Sequence, residues 1–324
     1  MQSTALLGRS LLAFAFCWTY SAGYAFDLQG HRGARGLAPE NTLAGFGKAL
    51  AIGVTTLEAD LAVTKDQVLV LSHTPRLNPD ITRGADGRWL ASPGPRIWDL
   101  TLTELRRFDV GRIKPWTRYH VQLYQQTPVD GLHIPTLDEL FKLAQDLGKA
   151  PRFNIEAKTS PDQPDDTPDP ETFARLIVDA VRRAGVADRT TIESFDWRTL
   201  LAVRKLAPEI ERACITSESI APVNVSRALR SPSAWLGGLE LSRHGGSIPR
   251  LVKAAGCGTW LPYHGDADAA SVKEARALGL KVVPWTVNSQ RDMARVIDMN
   301  VDGLITDYPD MAREVLAARG IRLP

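Results

Sequence analysis

The sequence predicts an α/β protein, a (β/α)₈ TIM barrel with one long insertion. Three observations point to it. Short apolar runs alternate with segments of helical periodicity along most of the chain; strand-then-helix repetition means a parallel sheet, and this many repeats favour a closed one. The chain, 324 residues, is long for an ordinary domain but suits a barrel of about 250 residues with additions. Acids, histidines and a lysine recur at the C-terminal ends of the apolar runs, where a barrel gathers its functional groups.

Residues 1–25 stand apart. One charge, Arg9, precedes an apolar run from Leu11 to Tyr20, and small residues at Gly23 and Ala25 lead into Phe26. That order predicts a secretory signal peptide, cut after Ala25. The run is shorter than the roughly 20 residues a membrane span needs. Phe16 before Cys17 does not fit a lipoprotein signal, and no other segment is apolar enough to span.

From Phe26 onward, strands are expected at Asp27 to Gly30, Thr56 to Val63, Val68 to Ser72, Arg152 to Ala157 and Thr190 to Ser194. Others are expected at Arg212 to Thr216, Thr259 to Tyr263, Lys281 to Val287 and Gly303 to Thr306. These are nine candidates for eight places, so one lies outside the barrel. Helices are expected at Leu43 to Ile52, Leu137 to Leu147, Thr172 to Ala184, Arg198 to Leu206, Ala269 to Leu278, Arg291 to Met299 and Pro309 to Ala318. Thr64 to Gln67 leaves room only for a tight turn between the second and third strands. The insertion, about Thr74 to Pro135, is rich in Gly, Pro, Trp and Arg. A segment this long in one loop usually covers a site. Its aromatics, Trp89, Trp98, Trp116 and Tyr119, are expected in a lid or in a small core of the insertion's own.

Composition excludes some function classes. With 39 basic and 37 acidic residues the formal charge is +2, so no global field recruits nucleic acid or membrane. Anion recognition must be local. Cys214 and Cys257 could form a disulfide in an oxidising compartment or stay buried thiols; neither has zinc-ligand spacing.

The chemistry-bearing residues begin at Gly30 to Thr42, GHRGARGLAPENT. His31 can move a proton near neutral pH, and the Arg32 guanidinium suits phosphate. Gly30, Gly33 and Gly36 would let the backbone turn and approach a ligand; Asn41 or Thr42 can cap the next helix. Glu58 and Asp60, two apart on an extended strand, point the same way. His73 follows the third strand, and Glu156 and Lys158 end the fourth, expected two strands from Glu58. Convergent carboxylates call for a divalent cation, and oxygen ligands suit calcium or magnesium. Trp285 and Phe195 are expected in the pocket wall or the barrel filling. Glu40 would orient Arg32, Asp307 would buttress the first-strand loop, and Glu193 is expected exposed or paired.

The chain resembles the glycerophosphodiester phosphodiesterase family, in its secreted or periplasmic branch. The motifs that carry the resemblance are HRG-x₆-ENT (31–42), LEADLAVTKD (57–66), VLVLSH (68–73), NIEAK (154–158), SFD (194–196), PWTVN (284–288) and VDGLITDYP (301–309). The resemblance implies a (β/α)₈ barrel and one calcium or magnesium ion on Glu58, Asp60 and Glu156. It implies His31 and His73 as the acid/base pair, with Arg32 and Lys158 on the phosphate. A glycerophosphodiester would be hydrolysed to an alcohol and sn-glycerol 3-phosphate. One departure stands out: the family often has Asp after the second histidine, where this chain has Thr74. Two alternatives follow, a lysophospholipase D-like or other phospholipid phosphodiesterase on the same fold, and a silent barrel with a binding role. The expected partner is a small molecule, in the periplasm or outside the cell.

Overall fold

A computed structural model describes residues 26–228 and 233–323; the expected signal peptide lies outside them. The chain runs β1 (Asp27–Gly30), α1 (Leu43–Ile52), β2 (Thr56–Val63) and β3 (Leu69–Leu71), then through the insertion with α2 (Leu102–Leu105) and α3 (Arg118–Gln122). It continues with α4 (Leu137–Asp146), β4 (Arg152–Ala157), α5 (Pro170–Arg183), β5 (Thr190–Ser194), α6 (Trp197–Leu206) and β6 (Glu211–Thr216). The last elements are α7 (Ile248–Ala255), β7 (Thr259–Pro262), α8 (Ala269–Ala277), β8 (Lys281–Val282), α9 (Gln290–Asp298), β9 (Gly303–Thr306) and α10 (Pro309–Ala318).

Eight parallel strands form the wall in the order β8-β7-β6-β5-β4-β2-β1-β9. The Ile305 N–H donates to Pro284 O and the Val287 N–H to Ile305 O, both at 2.9 Å. These bonds bring β9 against the chain beyond β8 and close the ring. The strand outside it is β3, which pairs antiparallel with β2, Leu71 opposite Leu61. This corrects one expectation. Because β3 is a hairpin return, β4 lies directly beside β2, with Glu156 opposite Asp60, rather than two strands away.

Alternation along the strands sorts the side chains. Leu57, Ala59 and Leu61 of β2 are fully buried in the large cluster shared with the helices, where burying one such leucine contributes about 2 kcal/mol. Glu58 and Asp60 point the other way, into the barrel. A separate interior cluster, including Ala213, Ile215, Leu261, Val283 and Ile305, comes from strands on the opposite side. The lumen is therefore polar on the β1, β2, β4 and β5 side and apolar on the β6 to β9 side. Helix starts follow side-chain capping: Thr42 Oγ1 accepts from the Gly45 N–H (3.1 Å), and Asp196 caps α6 in the same way. The insertion's small core is aliphatic, with Leu77, Ile97, Leu105, Val110 and Ile134 packed on Ala62 and Val70. Its aromatics are spread instead. Trp98 packs on the main core, Trp89 lies under the Arg83 guanidinium, Trp116 is exposed and Tyr119 reaches the barrel mouth.

Candidate active site

A cavity of about 460 Å³ opens at the C-terminal ends of the strands. His31, Arg32, Glu58, His73, Glu156, Lys158, Glu193 and Trp285 all line it. Of the eight residues expected to carry the chemistry, seven thus border one cavity, and Asp60 is buried beside them, opposite Glu156.

The loop after β1 builds one side. Arg32 adopts a left-handed backbone, φ 51°, an arrangement of the kind that functional sites tolerate. It aims the Arg32 N–H at Glu58 Oε2, 2.7 Å away. Gly33 turns the backbone as expected, with φ 89°, and the glycines here also serve chain packing. A Cβ on Gly33 would meet the backbone of Gly45 at 2.7 Å, and one on Gly36 would meet the Tyr308 ring at 2.3 Å. Thr42, not Asn41, caps α1; Asn41 donates from Nδ2 to Asp60 Oδ2 (2.9 Å).

His31 Nδ1 lies 2.5 Å from Asp307 Oδ1, and its Nε2 lies 4.0 Å from Glu58 Oε2. Asp307 also receives Arg35 through two bonds, 2.9 and 2.7 Å, and the Asn288 side-chain amide at 2.7 Å. Burial pulls the His31 pKa down to about 4, although Asp307 opposes the change. Burial also lowers His73, with Arg32 and Lys158 adding to it. Both rings are therefore neutral at pH 7. Asp307 does more than buttress the loop: it holds the Nδ1–H tautomer, leaving the Nε2 lone pair toward the cavity.

Four buried carboxylates gather on the polar side of the lumen. Oxygens of Glu58, Glu156 and Glu193 lie within 4.8 Å of one another. Asp60 is placed differently: its carboxylate takes the Asn41 amide, Arg32 Nε at 3.1 Å and Lys158 Nζ at 3.2 Å. Lys158 also donates to Glu156 Oε1 (2.7 Å). Burial would raise Asp60, but Lys158 and Arg32 outweigh it and hold its pKa well below the usual carboxylate range. Burial pushes Glu156 up to about 7, against the pull of Lys158. Glu58 and Glu193 rise well above normal through burial and the neighbouring acids. Among the described residues neither has a lysine or arginine side-chain partner. Asn154 Nδ2 donates to Glu193 Oε2 (2.6 Å), and Glu193 is opposite Glu156 in register.

That donor set fits a hard divalent cation. All the donors are carboxylate oxygens, and anionic charge exceeds the local cations. Glu193, expected exposed or paired, is buried among acids and accepts only the Asn154 amide among the described residues. The signal that could have found it is its place at the end of β5, one residue before Ser194.

The opposite wall is apolar. Phe195 and Trp285 meet edge to face, centroids 5.3 Å apart, and Ile215 and Trp235 complete the surface. Trp285 both lines the cavity and ties to the barrel, its Nε1–H donating to Leu261 O (3.0 Å). Glu40 holds Arg32 as expected, at 3.0 Å, and Tyr119 bonds both side chains. Thr74 turns to its own loop, Oγ1 donating to Arg76 O (2.6 Å), and His73 has no hydrogen-bond partner among the described residues.

The family model of the glycerophosphoryl diester phosphodiesterases matches residues 31–311. The chain belongs to this family, one of phosphoric diester hydrolases. A glycerophosphodiester phosphodiesterase from Caldanaerobacter subterraneus is 29% identical over 285 residues, covering 86% of this chain and 93% of that protein. One from Bacillus subtilis is 28% identical, covering 88% of this chain and 84% of its own. A Silicibacter pomeroyi protein provisionally named a glycerophosphoryl diester phosphodiesterase has a crystal structure that superposes with TM-score 0.81. It is 34% identical and covers 93% of this chain and 96% of that one. An Oleispira antarctica phosphodiesterase, solved with its product sn-glycerol-3-phosphate, shares the fold at TM-score 0.66 and 24% identity, covering 91% and 98%.

Proposed function

We propose that this member of the family hydrolyses glycerophosphodiesters to an alcohol and sn-glycerol 3-phosphate, using a divalent cation. The observation that carries the reading is one cavity in which two neutral histidines face three clustered carboxylates and the cations Arg32 and Lys158. Glu58, Glu156 and Glu193, with Asp60 alongside, would hold calcium or magnesium. When bound, that ion neutralises charge on a non-bridging phosphate oxygen.

The chain's own groups do the rest. Arg32 and Lys158 meet the phosphate, each held in place by buried acids. His31, backed by Asp307, takes the proton of the attacking hydroxyl or water at Nε2. His73, unbonded and on the same cavity, takes a proton from solvent when the anionic phosphate binds beside it and raises its pKa, and delivers that proton to the departing oxygen. Trp285 and Phe195 shape the wall against which the organic part lies and exclude water there. The same wall favours a second reading on the same reaction, a diester that carries an acyl chain. We also propose export to the periplasm or beyond. It is supported by the pattern of residues 1–25 and by the Cys214–Cys257 disulfide, Cα atoms 5.9 Å apart, a bond that suits an oxidising compartment.

The test is turnover of glycerophosphocholine and of lysophosphatidylcholine, with chelator and after reloading with calcium or magnesium. Release of choline from the first substrate, lost in chelator and restored by metal, is the expected result. Turnover of the lipid alone would favour the second reading. No turnover of either after reloading would leave a silent barrel.

A further inference from the structure

Among the described residues, eight large apolar side chains are exposed. Their distribution is uneven. Trp116, Val121, Tyr124 and Val129 lie in one short stretch of the insertion, and Ile220 and Val223 flank Ala221 and Pro222, which line the cavity. Only Leu147 and Leu206, at the ends of α4 and α6, belong to the other end of the barrel. Single exposed hydrophobes are ordinary; grouping on one face points to an interaction surface.

The insertion stretch is seated firmly on the cavity's face. The Thr127 N–H donates to Leu37 O (3.0 Å) and Gln126 Nε2 to Arg35 O (2.8 Å), both in the loop after β1. On α3, Tyr119 turns inward to Arg32 and Arg35. The outward side shows Trp116, 92% exposed, Val121, 66%, and Tyr124, 70%. Charge gives the second argument. Residues 110–129 contain Arg112, Lys114 and Arg118 and no acid. Arg112 pairs with Asp130, but Lys114 and Arg118 have no carboxylate partner among the described residues. Exposed aromatic rings beside unpaired cations suit the headgroup layer of a bilayer, where the rings are amphipathic and the cations meet anionic lipid.

We propose that this face of the barrel docks on an anionic lipid surface through Trp116, Val121 and Tyr124, with Lys114 and Arg118 against the headgroups. The docking stands without the catalytic reading above; only its consequence, a site mouth held near lipid-derived substrates, rests on that reading.

The experiment is co-sedimentation with vesicles of phosphatidylglycerol and phosphatidylcholine, or of phosphatidylcholine alone, in EDTA and without substrate. A chain beginning at Phe26 carries every element of the barrel and removes the apolar N-terminal run. Binding to the anionic vesicles, weakened by salt, is expected. Trp116→Ala with Tyr124→Ala should lower it roughly tenfold or more, and Lys114→Gln with Arg118→Gln about fivefold per cation. Because no turnover is read, a failed hydrolysis assay and a failed binding assay remain separate results. Three outcomes would overturn docking: no binding to either vesicle, equal binding by wild type and both variants, or a concentration-dependent dimer that the aromatic variant abolishes. The last would assign the patch to a second copy of the chain.

Discussion

His31 shows how one side chain is prepared by residues far from it in the chain. The ring ends β1, but Asp307, which follows β9, fixes its tautomer while Arg35 and Asn288 hold that carboxylate still. Asp307→Asn should therefore reduce kcat roughly a hundredfold or more with KM nearly unchanged. Because Arg35 loses its buried partner, the variant should also lose about 3 kcal/mol of stability, read by urea unfolding beside the kinetics. Equal kcat in wild type and variant would show that the tautomer is not set by Asp307. His73→Ala should cost at least about a thousandfold in turnover, with circular dichroism and melting unchanged because no partner is left unpaired. Near wild-type rates in that variant would remove His73 from the reaction. His31 and His73 were legible because they close apolar runs, and Arg32 because it stands beside one. Glu193 and the Asp307–His31 pair were not. Sequence shows that a residue ends a strand, but which neighbour its carboxyl faces depends on strand order, and that depends on β3 leaving the ring.

At the scale of elements, the periodicity located eight of the nine strands closely and most of the helices, since alternation and capping are local signals. β8 is shorter than expected, Lys281–Val282, although bonds from Val283, Trp285 and Val287 to the neighbouring strands continue the wall. α7 is not legible from periodicity: it has eight residues, and Pro249 in its first turn reads as a break in a pattern this short. Nor is the antiparallel return of β3, because a four-residue turn identifies a hairpin but not which of its strands leaves the barrel. The disulfide joins β6 to the chain just before β7 and encloses a separation of 43 residues. Closing a loop of that length removes unfolded-state entropy worth about 4 kcal/mol. Cys214→Ser with Cys257→Ser should lower the unfolding free energy measured in urea by that amount while leaving the site active, since neither cysteine lines the cavity. A change below about 1 kcal/mol would mean that the reduced chain stays ordered between the two cysteines.

For the molecule as a whole, the decisive feature is a lumen divided into an acidic half and an apolar half, with the cavity across the boundary. The acidic half makes stability depend on pH in a way that metal should reverse. Glu156 has its folded pKa raised from 4.5 to about 7 by burial, and Glu58 and Glu193 shift in the same direction. A group with a raised folded pKa binds more protons folded than unfolded between the two values. Its contribution is thus fully present below the unfolded pKa and lost as pH rises through the folded one. In chelator, these acids make the metal-free protein less stable as pH rises from 4.5 toward 7. A divalent cation needs the ionised carboxylates, so its binding strengthens over the same window and releases protons. The gap in Tm between calcium-loaded and chelated protein should therefore widen from mildly acidic to mildly alkaline pH. Titration calorimetry in buffers of different ionisation enthalpy should report proton release on calcium binding near pH 7. Glu193→Gln should shrink both signals, since it removes one of the three acids without emptying the cavity of its histidines. A Tm gap independent of pH, with no proton release, would mean that the cluster is not where the cation binds.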